Sequence, residues 1–83
     1  MLFRSNRGGA RALLRDFHGA VADYSAALRI NVDDIDALLG RAGAYEELGD
    51  LPRARADYAR LTQLLPASRD IRERLERTRP NGP

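Results

Sequence analysis

The sequence predicts an all-α chain, an α–α superhelix of two helix–turn–helix hairpins followed by a terminal helix. Three observations carry that expectation. First, Ala20-Val21-Ala22-Asp23-Tyr24 is followed 34 residues later by Ala54-Arg55-Ala56-Asp57-Tyr58. The same offset pairs Arg7 with Arg41, Gly9 with Gly43, Ala10 with Ala44, Leu14 with Leu48 and Asp16 with Asp50. These nine identities fall in one period where composition alone would give roughly three or four. Second, apolar residues recur at steps of three and four, the spacing of one helix face. Third, turn residues separate the periodic stretches: Arg15-Asp16, Asn31 to Asp34, Gly49-Asp50 and Pro66.

Taken in order, residues 2–14 read as a helix, although Gly8-Gly9 costs it about 1 kcal/mol per glycine relative to alanine. Phe3, Ala10 and Leu14 share one face. The second helix runs from Phe17 to Ile30, with Phe17, Ala20, Val21, Tyr24, Ala27 and Leu28 on its apolar side. Asp33 or Asp34 is placed to cap the third helix, about Ile35 to Leu48, and Asp36 adds negative charge at its positive end. That helix turns Leu38, Ala42 and Tyr45 inward and ends at Gly49-Asp50, glycine being the residue that most easily turns left-handed after a helix. Pro52 falls in the first turn of the fourth helix, where its missing N–H costs nothing. This helix is expected to turn Leu51, Ala54, Tyr58, Leu61 and Leu64 inward and to stop before Pro66. Residues 68–79 form a fifth helix with Ser68 as N-cap, Ile71 and Leu75 as a short seam, and charge elsewhere, which suits the solvated end of a stack.

One small domain is expected over residues 1–79: repeat one at about 1–34, repeat two at about 35–68, a capping helix at about 68–79. Residues 80–83 read as a disordered tail. Without cysteine the chain offers neither a disulfide framework nor a thiolate metal site. No apolar run approaches the roughly 18 residues of a membrane span, and no signal-peptide core is legible at the N-terminus. A soluble, cytoplasmic protein is the expectation.

All 14 basic residues are arginine, against 12 acids, for a net charge of +2. By segment the balance is +1 over residues 1–34, −1 over 35–68 and +2 over 69–83, too mild to argue for nucleic acid. His18, the single histidine, reads as a solvated residue at a helix start. No nucleophile elbow, phosphate-binding glycine loop or metal set is present, so neither an enzyme nor a cofactor is expected. The strongest polar cluster is the stripe Arg4, Arg7, Arg11 and Arg15. It reads as a solubilising edge in preference to an anionic-partner edge, because no aromatic residues for base stacking are interleaved with it.

The period and its motif resemble the tetratricopeptide repeat family. Repeat two supplies Leu38, Arg41, Ala42, Tyr45, Ala54, Tyr58 and Pro66 at the family's spacings, and repeat one supplies Arg4, Arg7, Gly8, Arg11, Ala20, Tyr24 and Val32. The first repeat departs most, with arginine at three packing positions, where guanidinium heads must snorkel out or the helix must sit at an edge. The resemblance implies a right-handed solenoid and a binding scaffold whose first helices line a concave groove. Carried over position by position, that groove is Leu2, Ser5, Gly9, Ala12 and Leu13, then Asp36, Leu39, Gly43, Glu46 and Glu47, with Asp70, Glu73 and Arg77 from the terminal helix. Gly9 and Gly43 would be deep notches, and the centre would be acidic. The family's basic carboxylate clamp is not reproduced: Gly9 and Gly40 replace its asparagines, and there is no lysine. The expected partner is a protein or peptide, a neutral or basic segment held in the groove. Two repeats fall below the roughly three usually needed for a stable array. Self-association, or stacking on neighbouring repeats of a longer chain, therefore stands as the alternative.

Overall fold

A computed structural model describes residues 16–79. They form four α-helices: α1 (Phe17–Ile30), α2 (Ile35–Glu47), α3 (Leu51–Leu64) and α4 (Arg69–Arg77). The helix expected over residues 2–14, the stripe Arg4, Arg7, Arg11 and Arg15, the groove positions Leu2, Ser5, Gly9, Ala12 and Leu13, and the tail all lie outside the described residues. Each helix packs on its neighbours in sequence: α1 on α2, α2 on α3, α3 on α4. The backbones of α1 and α3, and of α2 and α4, do not meet. Nearest-neighbour packing of this kind makes the described chain an all-α helical repeat.

The 34-residue period is written in the backbone as well as in the sequence. α1 and α3 begin and end at the same repeat positions. Their N-caps, Asp16 and Asp50, are one period apart, and each accepts a hydrogen bond from the N–H three residues on, Gly19 and Arg53. Such a side chain satisfies an N–H that the first turn leaves unpaired. The caps of α2 and α4 follow suit: Asp34 accepts from the N–H of Ala37, Ser68 from that of Ile71. α4 therefore starts in the register of a third first helix, which its charged sequence conceals.

The turns are equally local. Gly49 takes φ +79°, its N–H donating to the Glu46 carbonyl and the Asp50 N–H to the Tyr45 carbonyl. This is the Schellman ending of a helix, and Asp50 serves at once as the cap of α3. Leu65, which precedes Pro66, is driven out of the helical region to φ −130°, ψ 66°, and α3 stops there.

Small residues set the helix spacing. Ala20, Ala37, Ala42 and Ala54 are fully buried, and Tyr58 and Leu61 are the largest fully buried hydrophobic side chains among the described residues. The inward stripe of α1 is as expected, with Ala20, Tyr24, Ala27 and Leu28 buried and Phe17 and Val21 packed at its edge. Three inward expectations shift, and one of them, Leu64, is only partly buried against the core. Leu51, the first residue of α3, is exposed, and the first buried residue of that helix is Ala54, one turn later. Tyr45 is half-buried, with the Arg41 guanidinium 5.8 Å from its ring centroid, a cation–π spacing. Between the two candidates for the α2 cap, Asp34 takes the role and Asp33 pairs with Arg60 of α3.

Candidate interaction faces of the second helix

α2 is packed on both flanks, by α1 and by α3, so among the described residues two opposite strips of its surface remain. The first strip holds Asp36, Leu39, Gly43 and Glu47 at steps of three and four. Asp36 and Glu47 are exposed, and Leu39 is partly buried against the core. A Cβ built on Gly43 would meet nothing within 4 Å, so this glycine is an open notch. Gly40, one turn before, is its opposite. A Cβ there would lie 2.3 Å from Cζ of the Tyr24 ring, and glycine is what lets α1 and α2 approach. Burial, and then the Asp36 carboxylate, raise the pKa of the Tyr24 phenol.

Glu46 belongs to this face by position, but its carboxylate is occupied. Tyr58 of α3 donates its hydroxyl to Oε1 at 2.6 Å, and Arg77 of α4 donates to both oxygens, at 3.1 and 3.0 Å. Burial pushes the Glu46 carboxyl up, but the bonds from Arg77 and Tyr58 and the charges of Arg77 and Arg74 outweigh it. Its pKa lies below the ordinary glutamate value. Tyr58 moves the other way: burial first, then its bond to Glu46, raise the phenol. Glu46 is thus a tie between three helices rather than either a free groove carboxylate or a solvated one. On α4, Asp70 pairs with Arg74 at 3.1 Å. The carboxylates on this side without an ion pair among the described residues are Asp36, Glu47 and Glu73, so the acidic character expected at its centre is diluted by Arg74 and Arg77.

The opposite strip of α2 carries Arg41, two residues and about 200° around the helix from Gly43. Its Nε and Nη2 donate to both oxygens of Asp57 at 2.8 and 2.7 Å, and Nη1 donates to Ser25 Oγ at 3.1 Å. The hydrogen bond to Asp57 raises the Arg41 pKa further above its already high ordinary value. Ser25 is on α1 and Asp57 on α3, so this cluster joins two helices whose backbones do not touch. It and the Glu46 cluster perform the same task on opposite sides of the stack. Among the described residues no buried side-chain polar atom lacks a hydrogen-bond partner.

Sequence reasoning named Glu46 and Arg77 as groove lining and missed their bond, and it missed Gly40 as a packing residue. It also passed over Ser25–Arg41–Asp57, although one signal was present: Arg7 with Asp23 and Arg41 with Asp57 recur together at the same offset. Among the described residues no helix is long and apolar enough to cross a membrane, and no group of His, Asp or Glu is arranged to hold a metal ion.

No family model matches the chain. It is similar to protein unc-45 homolog B of Xenopus laevis, 36% identical over 77 residues that make up 93% of this chain. The mouse and human proteins of that name are 36% identical over 72 residues, 87% of this chain. The chain spans 8% of the length of each of these relatives.

Proposed function

We propose that the chain is a non-catalytic protein-interaction module of the tetratricopeptide type, which receives a peptide or partner helix on the face formed by α2 and the adjoining side of α4. The observation that carries this reading is the strip Asp36, Leu39, Gly43 and Glu47, which no helix among the described residues covers and which Gly43 opens to the backbone. A notch beside a partly buried leucine accepts an apolar side chain, and the unpaired carboxylates of Asp36, Glu47 and Glu73 favour a neutral or basic segment around it. The similarity to unc-45 homolog B supports a helical-repeat context in a much longer chain. In this reading the module needs no cofactor and works in the cytoplasm.

Gly43→Gln is the sharpest test, because it fills the notch where an added Cβ meets nothing within 4 Å among the described residues. Affinity capture with the wild type and with Gly43→Gln should differ by the loss of those proteins that occupy the groove, and Glu47→Arg should weaken the same ones. Identical capture by all three chains would remove the α2 face from consideration.

A second reading rests on α4, whose cap stands in the register of another first helix. It supports stacking on neighbouring repeats or on a second copy. Sedimentation across a concentration range separates the two readings, since a monomeric module shows no change in mass.

A further inference from the structure

The strip of α2 that carries Arg41 opens into a second furrow, on the side away from Gly43. A shallow, open depression of about 620 Å³ lies there, lined by Ala22, Ser25, Leu28, Arg29, Val32 and Arg41. Its lining combines apolar carbon from Ala22, Leu28 and Val32 with two guanidinium groups and one hydroxyl, and it contains no carboxylate. The charge of Arg41 is matched by Asp57. Arg29 has no ion pair among the described residues. The last-turn position of Arg29 in α1 sets it against the helix dipole, but that end balances only roughly half a charge. Asp33, next to Val32, is already held by Arg60. Ser25 accepts from Arg41, which leaves the hydroxyl proton of Ser25 free to donate.

Val32, which lines the furrow, belongs to a group of exposed apolar side chains. Of the large hydrophobic residues exposed among those described, Ile30, Val32 and Ile35 crowd the single turn between α1 and α2, and Ile30 and Val32 are 72% and 65% exposed. Leu64, at the repeat position of Ile30, is packed against the core. At this one position the turn exposes an apolar side chain that its counterpart in the next repeat partly buries.

We propose that this furrow is a second docking surface, independent of the α2–α4 face, for a protein segment that carries a carboxylate beside a large apolar side chain. The carboxylate meets Arg29 and the Ser25 hydroxyl, and the apolar side chain lies along Leu28 and Val32. Charge complementarity selects an acidic segment here, whereas the opposite face, with Asp36, Glu47 and Glu73, selects against one.

An array of immobilised short peptides tests it, in acidic–apolar, purely acidic, basic–apolar and neutral apolar classes, probed with the full chain and its variants. The acidic–apolar class should be retained best. Arg29→Glu should lower that retention by about tenfold, the scale of one charge-assisted hydrogen bond lost, with Arg29→Gln intermediate and Val32→Asp comparable. Gly43→Gln should leave it unchanged. Both altered residues are exposed, and circular dichroism confirms that the variants keep their helices. Failure of every class to bind, or retention indifferent to Arg29 and Val32, overturns the proposal. Retention lost with Gly43→Gln instead assigns the peptides to the α2–α4 face and likewise overturns it.

Discussion

The guanidinium of Arg41 grips the carboxylate of Asp57 by two near-parallel hydrogen bonds of 2.8 and 2.7 Å, and both residues come from the 34-residue motif period. Their side chains are unequally covered: Arg41 keeps 23% of its surface in water and Asp57 keeps 7%. That asymmetry decides which partner is more costly to lose. Arg41→Gln strands a buried carboxylate, and should cost about 3 kcal/mol in urea unfolding. Asp57→Asn leaves a guanidinium that water still reaches, and should cost clearly less. The double change Arg41→Met, Asp57→Leu should recover most of the first loss, since an apolar pair does without the desolvation. Equal losses for the two single variants would contradict the burial argument.

Gly40 and Gly43, one turn apart on α2, should respond oppositely to the same substitution. Gly43→Ala places its methyl in open space and gains the helix propensity of alanine, about 0.5–1 kcal/mol. Gly40→Ala drives its Cβ into the buried ring of Tyr24, and overpacking of this kind costs about 1–3 kcal/mol, more than the propensity returns. The thermal midpoints of the two variants should fall on either side of the wild type. Tyr24→Leu in the Gly40→Ala background should cost less than it does alone.

Acid should act through Glu46. Its folded pKa lies below the ordinary value of 4.5, so the carboxylate is the form the fold favours. The stability it contributes is present above about pH 4.5 and is lost as the pH falls from there through the folded value. Tyr58 has its folded pKa raised, so its contribution is present below about pH 10 and is lost above it. Between those limits neither group titrates. Glu46→Gln should flatten the acid limb of a stability–pH curve measured by urea midpoints, and leave the alkaline limb to Tyr58. An acid limb unaltered by Glu46→Gln would assign acid sensitivity to other carboxylates.

Gly49 is required for its backbone. At φ +79° an L residue pays about 1–2 kcal/mol, although no atom obstructs its Cβ. Gly49→Ala should therefore destabilise by that amount and Gly49→Asn by less. Both are checked by thermal unfolding beside Gly43→Ala, which shares the open space but not the positive φ.

Much of the fold was legible because its determinants are local. Asp34 and Ser68 cap helices through bonds three residues long, as do Asp16 and Asp50, which read only as turn residues in the sequence; Gly49 closes a turn within its own neighbours, and Pro66 stops a helix at the residue before it. Helical spacing likewise placed Ala20, Tyr24, Leu38, Ala42, Ala54, Tyr58 and Leu61 inward.

The sequence by itself determined the helices, their period and the alanines and tyrosines that join them, because each depends on residues within a turn or on one repeated spacing. Only the tertiary structure decided which charges are free. Glu46 and Glu47 are neighbours of the same type on one helix, yet Glu46 is held by Tyr58 and Arg77 while Glu47 faces water. Arg29 and Arg41 stand at the same furrow, yet among the described residues only Arg41 finds a carboxylate. Partners 12 to 31 residues apart in sequence are brought together by helix packing, and a charge pattern carries no trace of that distance. Which side chains remain to meet another molecule is settled by what the fold has already paired.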